Sequence, residues 1–229
     1  MKMKKTILLA VFILSSGILC GADYHSCVKE ADAAMKAKDY ETAVAKYDEA
    51  VKNSKRSIDK RSAVYGKYRA LKAQKKWKEA DNYMLEIADS DETLDSKDAR
   101  FLLTMVAGGH LWDRYYEDAL KLLQQAQNIQ APKASNEYYL TYYYMATIYG
   151  ARKKQYSAAI ETLKDVITIK ELHPANLYTA NMVMGDAYEK LGKKEEALKH
   201  YKAALESGKK VKYKYNYSGA SKAIERLSK

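Results

Sequence analysis

The stretch MGDAYEKLGKKEEALKHYKAAL, Met184–Leu205, decides how the chain is read. Its small residues, Gly185, Ala197 and Ala204, stand at fixed distances from the large Tyr188, Leu198 and Tyr201, with a Lys/Glu-rich break between the two halves. Apolar residues three and four apart on either side of a polar break are the signature of two amphipathic helices joined by a turn. The small residues let the two helices approach, and the tyrosines fill the space left between successive pairs. A large side chain at Ala197 is expected to overpack that contact, at about 1–3 kcal/mol.

Working outward, the same local pattern recurs in Tyr40–Val44, Trp77–Asp81, Tyr116–Leu120, Tyr156–Ile160 and, with lysine in place of the aromatic residue, Lys194–Leu198. The alanines at 43, 80, 119, 159 and 197 are separated by 37, 39, 40 and 38 residues. A fixed period of this length means a stacked array, because a helix pair cannot bury its apolar stripe alone. The units run over about 24–57, 61–94, 100–133, 139–173 and 178–211. Pro132 and Pro174 fall between units, where a ring without an N–H stops one helix and suits the start of the next. Asp89–Asp98 is rich in capping residues. Ala220, Ala223, Ile224 and Leu227 predict a terminal helix over 216–228 that covers the end of the fifth unit.

Met184, Gly185, Tyr188, Ala197, Tyr201 and Ala204 resemble the tetratricopeptide (TPR) repeat pattern. So do Ala31, Ala34, Ala43, Tyr47 and Ala50 in the first unit and Ala107, Ala119, Leu123 and Ala126 in the third. The fourth fits through Ala146, Tyr149, Ala159, Leu163 and Val166 when its turn carries one extra residue. The second has Tyr68 where a small residue is expected. The resemblance implies an all-α, right-handed α-solenoid of about five helix-turn-helix repeats closed by a C-terminal capping helix. It also implies a protein-interaction scaffold whose concave face, made by the first helices, takes a peptide or protein. Carried over by position, that face comprises Val28, Asp32, Tyr65, Arg69, Lys72, Thr104, Tyr143, Thr147, Met182 and Asp186. The two-carboxylate clamp of chaperone-binding members is not reproduced by these residues.

Ahead of the repeats, Lys2, Lys4 and Lys5 precede an apolar run, Ile7–Leu19, of 13 residues broken only by Ser15, Ser16 and Gly17. That is short of the about 20 needed to span a bilayer, and Cys20-Gly21-Ala22 offers small residues for a signal peptidase, so residues 1–22 read as an export signal cleaved after Ala22. The competing reading makes Cys20 a lipidated N-terminus, although Leu19 stands where a lipoprotein signal has a small residue. Export implies the periplasm or secretion, with no transmembrane span after cleavage.

The formal charge of the 229-residue chain is +11; losing the three leader lysines lowers it to +8, a balance that favours acidic partners over nucleic acid for an exported chain. With Cys20 gone, Cys27 is the remaining cysteine and excludes a disulfide-stapled scaffold. It reads as a small core residue, the alternative being a link between two chains.

His25, His110, His173 and His200 are dispersed, without metal-ligand spacing. No phosphate-binding glycine loop or nucleophile elbow is present, so neither a catalytic residue nor a cofactor or metal site is expected. Two aromatic clusters stand out. Glu137–Met145 places tyrosines around more than one face of a helix, read as packing between repeats or as a binding surface. Gly208–Tyr217 alternates lysine and tyrosine, and Lys210, Lys212, Tyr213, Lys214 and Tyr215 read as a solvated lead-in or as a basic-aromatic strip for an acidic polymer, peptide or lipid headgroup. The leading expectation is a non-enzymatic adaptor of the bacterial cell envelope. The alternative is a surface-anchoring protein that retains acidic glycan or lipid through its charge.

Overall fold

The computed structural model describes residues 23–212 and 216–229; the expected leader with Cys20, and Tyr213, Lys214 and Tyr215 of the basic-aromatic strip, lie outside the described residues. Among the described residues eleven α-helices follow one another, with no strand. They are α1 (Tyr24–Ala37), α2 (Tyr40–Asn53), α3 (Ser57–Ala73), α4 (Trp77–Ser90), α5 (Ser96–Trp112), α6 (Tyr116–Asn128), α7 (Asn136–Thr147), α8 (Tyr156–Leu163), α9 (Pro174–Lys190), α10 (Lys194–Lys209) and α11 (Ser218–Ser228). Asp23, Asp39 and Ser135 start α1, α2 and α7 by accepting the N–H of Ser26, Thr42 and Tyr138, which satisfies a donor the helix itself leaves open. Pro174 opens α9, where its missing N–H is no loss.

Each odd-numbered helix packs antiparallel on the next, and each even one packs on the first helix of the following pair, α10 on α11 included. The first helices also touch in sequence, α1 on α3, α3 on α5, α5 on α7 and α7 on α9. They therefore form the inner row of the array. The alanines at 43, 80, 119, 159 and 197, which set the period, are all fully buried. Four residues later Tyr47, Met84, Leu123, Leu163 and Tyr201 are buried against them.

Glycine decides how near the large wedges sit. A Cβ on Gly185 would lie 2.7 Å from the Tyr201 ring, and one on Gly66 would lie 2.4 Å from the ring of Tyr47 in the preceding pair. Tyr201 thus wedges within its own pair as well as against Ala223 of α11. Tyr68, which replaces a small residue, is accommodated from the other side: its hydroxyl reaches within 3.0 Å of where a Cβ on Gly109 would stand. Cys27 is fully buried beside Ala50 and Ala63, which closes it to pairing with a second chain.

A buried polar seam ties three first helices together. Asp98 is fully buried, accepts the Ser57 hydroxyl and pairs with Arg61 at 2.9 Å, while Arg61 also pairs with Glu137 at 2.7 Å. Arg100, equally buried, donates to Thr141 Oγ1 and the Ile129 carbonyl at 3.0 Å each and lies over the rings of Tyr138 and Tyr142. Burial lowers its pKa, opposed by both tyrosines.

The fourth pair takes its extra residue in an unexpected place. The turn itself keeps its length, and α7 instead ends in a π-helical turn, Ile148–Arg152. The closing backbone bond runs from Gln155 N–H to the Tyr149 carbonyl, one residue wider than the equivalent bonds from Lys76 to Leu71 and from Lys193 to Tyr188. Widening a helical ring by one residue leaves the connection to α8 unchanged, and such turns recur at functional sites.

A candidate partner-binding groove

That π-helical turn forms one wall of a groove of about 820 Å³ on the inner side of the array. Tyr143, Thr147, Gly150, Ala151 and Lys154 line it from α7 and its extension, Val183, Asp186, Ala187, Glu189 and Lys190 from α9, Tyr156 from the start of α8 and Arg226 from α11. Residues 183, 186, 187 and 190 share one face of α9 because they are three and four apart. Tyr143 is held by stacking on the buried Tyr139, with ring centroids 5.5 Å apart, and the Thr147 hydroxyl donates to the Tyr143 carbonyl at 2.8 Å.

The acidic wall is built from below. Tyr201, buried under α9, donates to Asp186 Oδ1 at 2.6 Å and sits 2.9 Å from Glu189 Oε2. Arg226 grips Glu189 with both guanidinium ends, Nη2 to Oε2 at 2.9 Å. The Arg226 hydrogen bond holds the Glu189 carboxyl below its ordinary pKa, whereas removal from water raises that of Asp186. The groove therefore offers apolar contacts along Tyr143, Val183 and Ala187, two fixed carboxylates, and the ammonium groups of Lys154 and Lys190. That set suits a segment of extended polypeptide, whose backbone needs both donors and acceptors and whose side chains need an apolar floor.

Of the residues assigned to the inner face by position, the groove brings together Tyr143, Thr147 and Asp186. Val28 packs with Cys27, Ala50 and Ala63, and Asp32 accepts the Tyr47 hydroxyl at 2.5 Å. Tyr65 is set between Tyr68 and Phe101, Arg69 is exposed, and Lys72 lies over the rings of Tyr68 and Trp77. One assignment needs correction. Thr104 is fully buried, donating to the Arg100 carbonyl and pairing with Thr141 Oγ1 at 3.0 Å, because α7 covers that face of α5. Met182 is half-buried, packing against Tyr178, Ala204 and Ala220 beside the capping helix.

The tyrosine-rich helix is mostly packing. Tyr139 meets Thr179, Tyr138 and Tyr142 cover Arg100, and Tyr144 lies against Gly108; Tyr143 is the one that reaches the groove together with Tyr156. Lys210 and Lys212 of the basic strip are exposed. Sequence reasoning missed Glu189, Lys190 and Arg226. The first two were legible, at three and four residues beyond Asp186, but Arg226 enters through the cap, which no spacing within a repeat reveals. Among the described residues no group of three or more His, Cys, Asp or Glu side chains converges as a metal site, and no helix is long and apolar enough to cross a membrane.

No family model matches the chain, and no curated protein matches it in sequence. Solved structures do. The crystal structure of MamA protein aligns at 21% identity and a TM-score of 0.55 over 82% of this chain and 92% of that one. The nearly identical TPR-like repeats of a Podosopora anserina protein, named after kinesin light chain, align at 18% identity and a TM-score of 0.56 over 83% of this chain and 97% of that one. A substituted form of those repeats aligns at 19% identity, with a TM-score of 0.56, over 80% and 93% of the two chains. The helix pairs, their buried alanine period and these neighbours together establish the chain as an all-α repeat protein with a TPR-like fold.

Proposed function

We propose that the chain is a non-enzymatic scaffold of the bacterial cell envelope that binds an extended segment of a protein partner in the groove between α7 and α9. The observation that carries this reading is the groove itself: an apolar floor at Tyr143, Val183 and Ala187, flanked by carboxylates fixed by Tyr201 and Arg226 and by the ammonium groups of Lys154 and Lys190. Array proteins present such surfaces along their inner face, and the TPR-like neighbours support an interaction role. The envelope setting rests on the charged, apolar and small-residue order of residues 1–22.

Ala151 gives the cleanest test, since it is exposed and lines the groove without belonging to the core. Ala151→Trp fills the groove and leaves the helix pairs intact. Affinity capture from the envelope fraction of the producing cells is expected to recover a protein with the wild-type chain and to lose it with Ala151→Trp, at unchanged helicity by circular dichroism. Recovery of the same protein at the same level by both chains would place its binding elsewhere.

A further inference from the structure

The turns that join first to second helices repeat one backbone device. Each contains a residue in the left-handed region: Lys38 (φ 62°), Lys75 (φ 64°), Arg114 (φ 68°), Lys154 (φ 56°) and Gly192 (φ 73°). In four of them the next backbone N–H returns to the carbonyl five residues earlier, Asp39 to Ala34, Lys76 to Leu71, Tyr115 to His110 and Lys193 to Tyr188. The turns are thus equivalent, and stacking sets them along one edge of the array. Glycine adopts this conformation without strain and other residues do not, yet four of the five positions are Lys or Arg. Lys38, Lys75, Arg114 and Lys154 are all exposed and none pairs with an acid among the described residues. Of the fourteen residues that make up the five turns, seven are basic and two acidic.

The same edge holds large apolar side chains in water. Trp112 is 72% exposed, Tyr115 62%, Trp77 51% and Leu191 38%, four of the six large hydrophobic residues exposed among those described. Tryptophan and tyrosine set among lysine and arginine is the composition selected at a bilayer surface, where the rings seat at headgroup level and the cations meet anionic headgroups.

We propose that this edge docks the chain peripherally on an anionic lipid bilayer, with Trp77, Trp112 and Tyr115 among the headgroups and Lys38, Lys75 and Arg114 facing lipid phosphates. Trp77 and Trp112 are the chain's two tryptophans, so intrinsic fluorescence reports the contact directly. The experiment titrates the purified protein with phosphatidylcholine vesicles with and without phosphatidylglycerol, reading emission wavelength and acrylamide quenching. The expected result is a blue shift and protection with phosphatidylglycerol only. The triple variant Lys38→Gly, Lys75→Gly, Arg114→Gly should bind more weakly by on the order of a hundredfold, each surface cation contributing about fivefold. It leaves the groove-lining Lys154 in place, and glycine suits all three backbones, so unchanged helicity excludes misfolding as the cause. Trp112→Ala with Tyr115→Ala should weaken binding as well. Equal vesicle binding by wild type and the triple variant, or no emission change on phosphatidylglycerol, would overturn the proposal. Tight binding of soluble heparin that is indifferent to Trp112→Ala and Tyr115→Ala would overturn it in favour of an acidic glycan.

Discussion

A missing methyl group at position 185 sets the distance between α9 and α10. The Tyr201 ring comes within 2.7 Å of where a Cβ would be, and that ring is fully buried and anchored at its hydroxyl by Asp186 and Glu189. It cannot swing aside without breaking both hydrogen bonds. Gly185→Val is therefore expected to destabilise the fold by about 1–3 kcal/mol, measured as a lower urea midpoint, and to loosen the acidic wall of the groove.

His200 makes a second prediction at this scale. It is 7% exposed, stacked on Tyr188 at 5.2 Å, with Nδ1 donating to Asn181 Oδ1 at 2.9 Å. Burial, reinforced by Lys199, lowers its pKa from 6.5. Below that ordinary value the unfolded chain takes up a proton that the folded chain resists, so the stability due to neutral His200 is complete above about pH 6.5 and is lost as pH falls. The difference in urea midpoint between pH 7 and pH 5 should be smaller in His200→Gln than in the wild type. An unchanged difference would show that His200 titrates alike in both states.

Such single positions were unequally legible. Gly185, Ala197 and Tyr201 announce their packing because a repeat confines each to one environment. Thr104 did not, since periodicity tells which side of α5 it lies on but not that α7 and Arg100 cover that side. The buried seam of Ser57, Asp98, Arg61 and Glu137 draws on three helices far apart in sequence, and no local spacing marks it.

At the scale of elements, the turns are the strained parts of the fold. A non-glycine residue in the left-handed region costs roughly 1–2 kcal/mol, and glycine there gives back part of that gain through its freedom in the unfolded chain. Lys75→Gly should accordingly raise stability by about 0.5–1 kcal/mol, visible as a higher melting temperature. A drop would mean that the Lys75 side chain contributes a stabilising contact. The helix pairs themselves were readable from spacing, and so was the need for one extra residue in the fourth unit. Its position was not, because a π-helical turn and a longer loop satisfy the same sequence alignment. The structure places it in α7, where it shapes a groove wall.

For the whole molecule, the fold follows from a sequence in which every pair repeats the same small-and-large pattern, so that each buries the stripe of its neighbour. The groove arises where that pattern is varied, between the tyrosine-rich fourth pair and the well-preserved fifth, and it is completed by Arg226 of the cap. This division explains why architecture could be read from residues 184–205 while the site required the assembled array. The groove between α7 and α9 is proposed to receive a polypeptide segment. The most direct measurement places a photo-crosslinking residue at Thr147, inside the groove, and in a second protein at Lys199, exposed on α10, followed by mass spectrometry of adducts formed in the producing cells. Thr147 is expected to yield one recurrent partner peptide, abolished by Ala151→Trp, and Lys199 is not. An adduct with the same partner from Lys199 and none from Thr147 would contradict it.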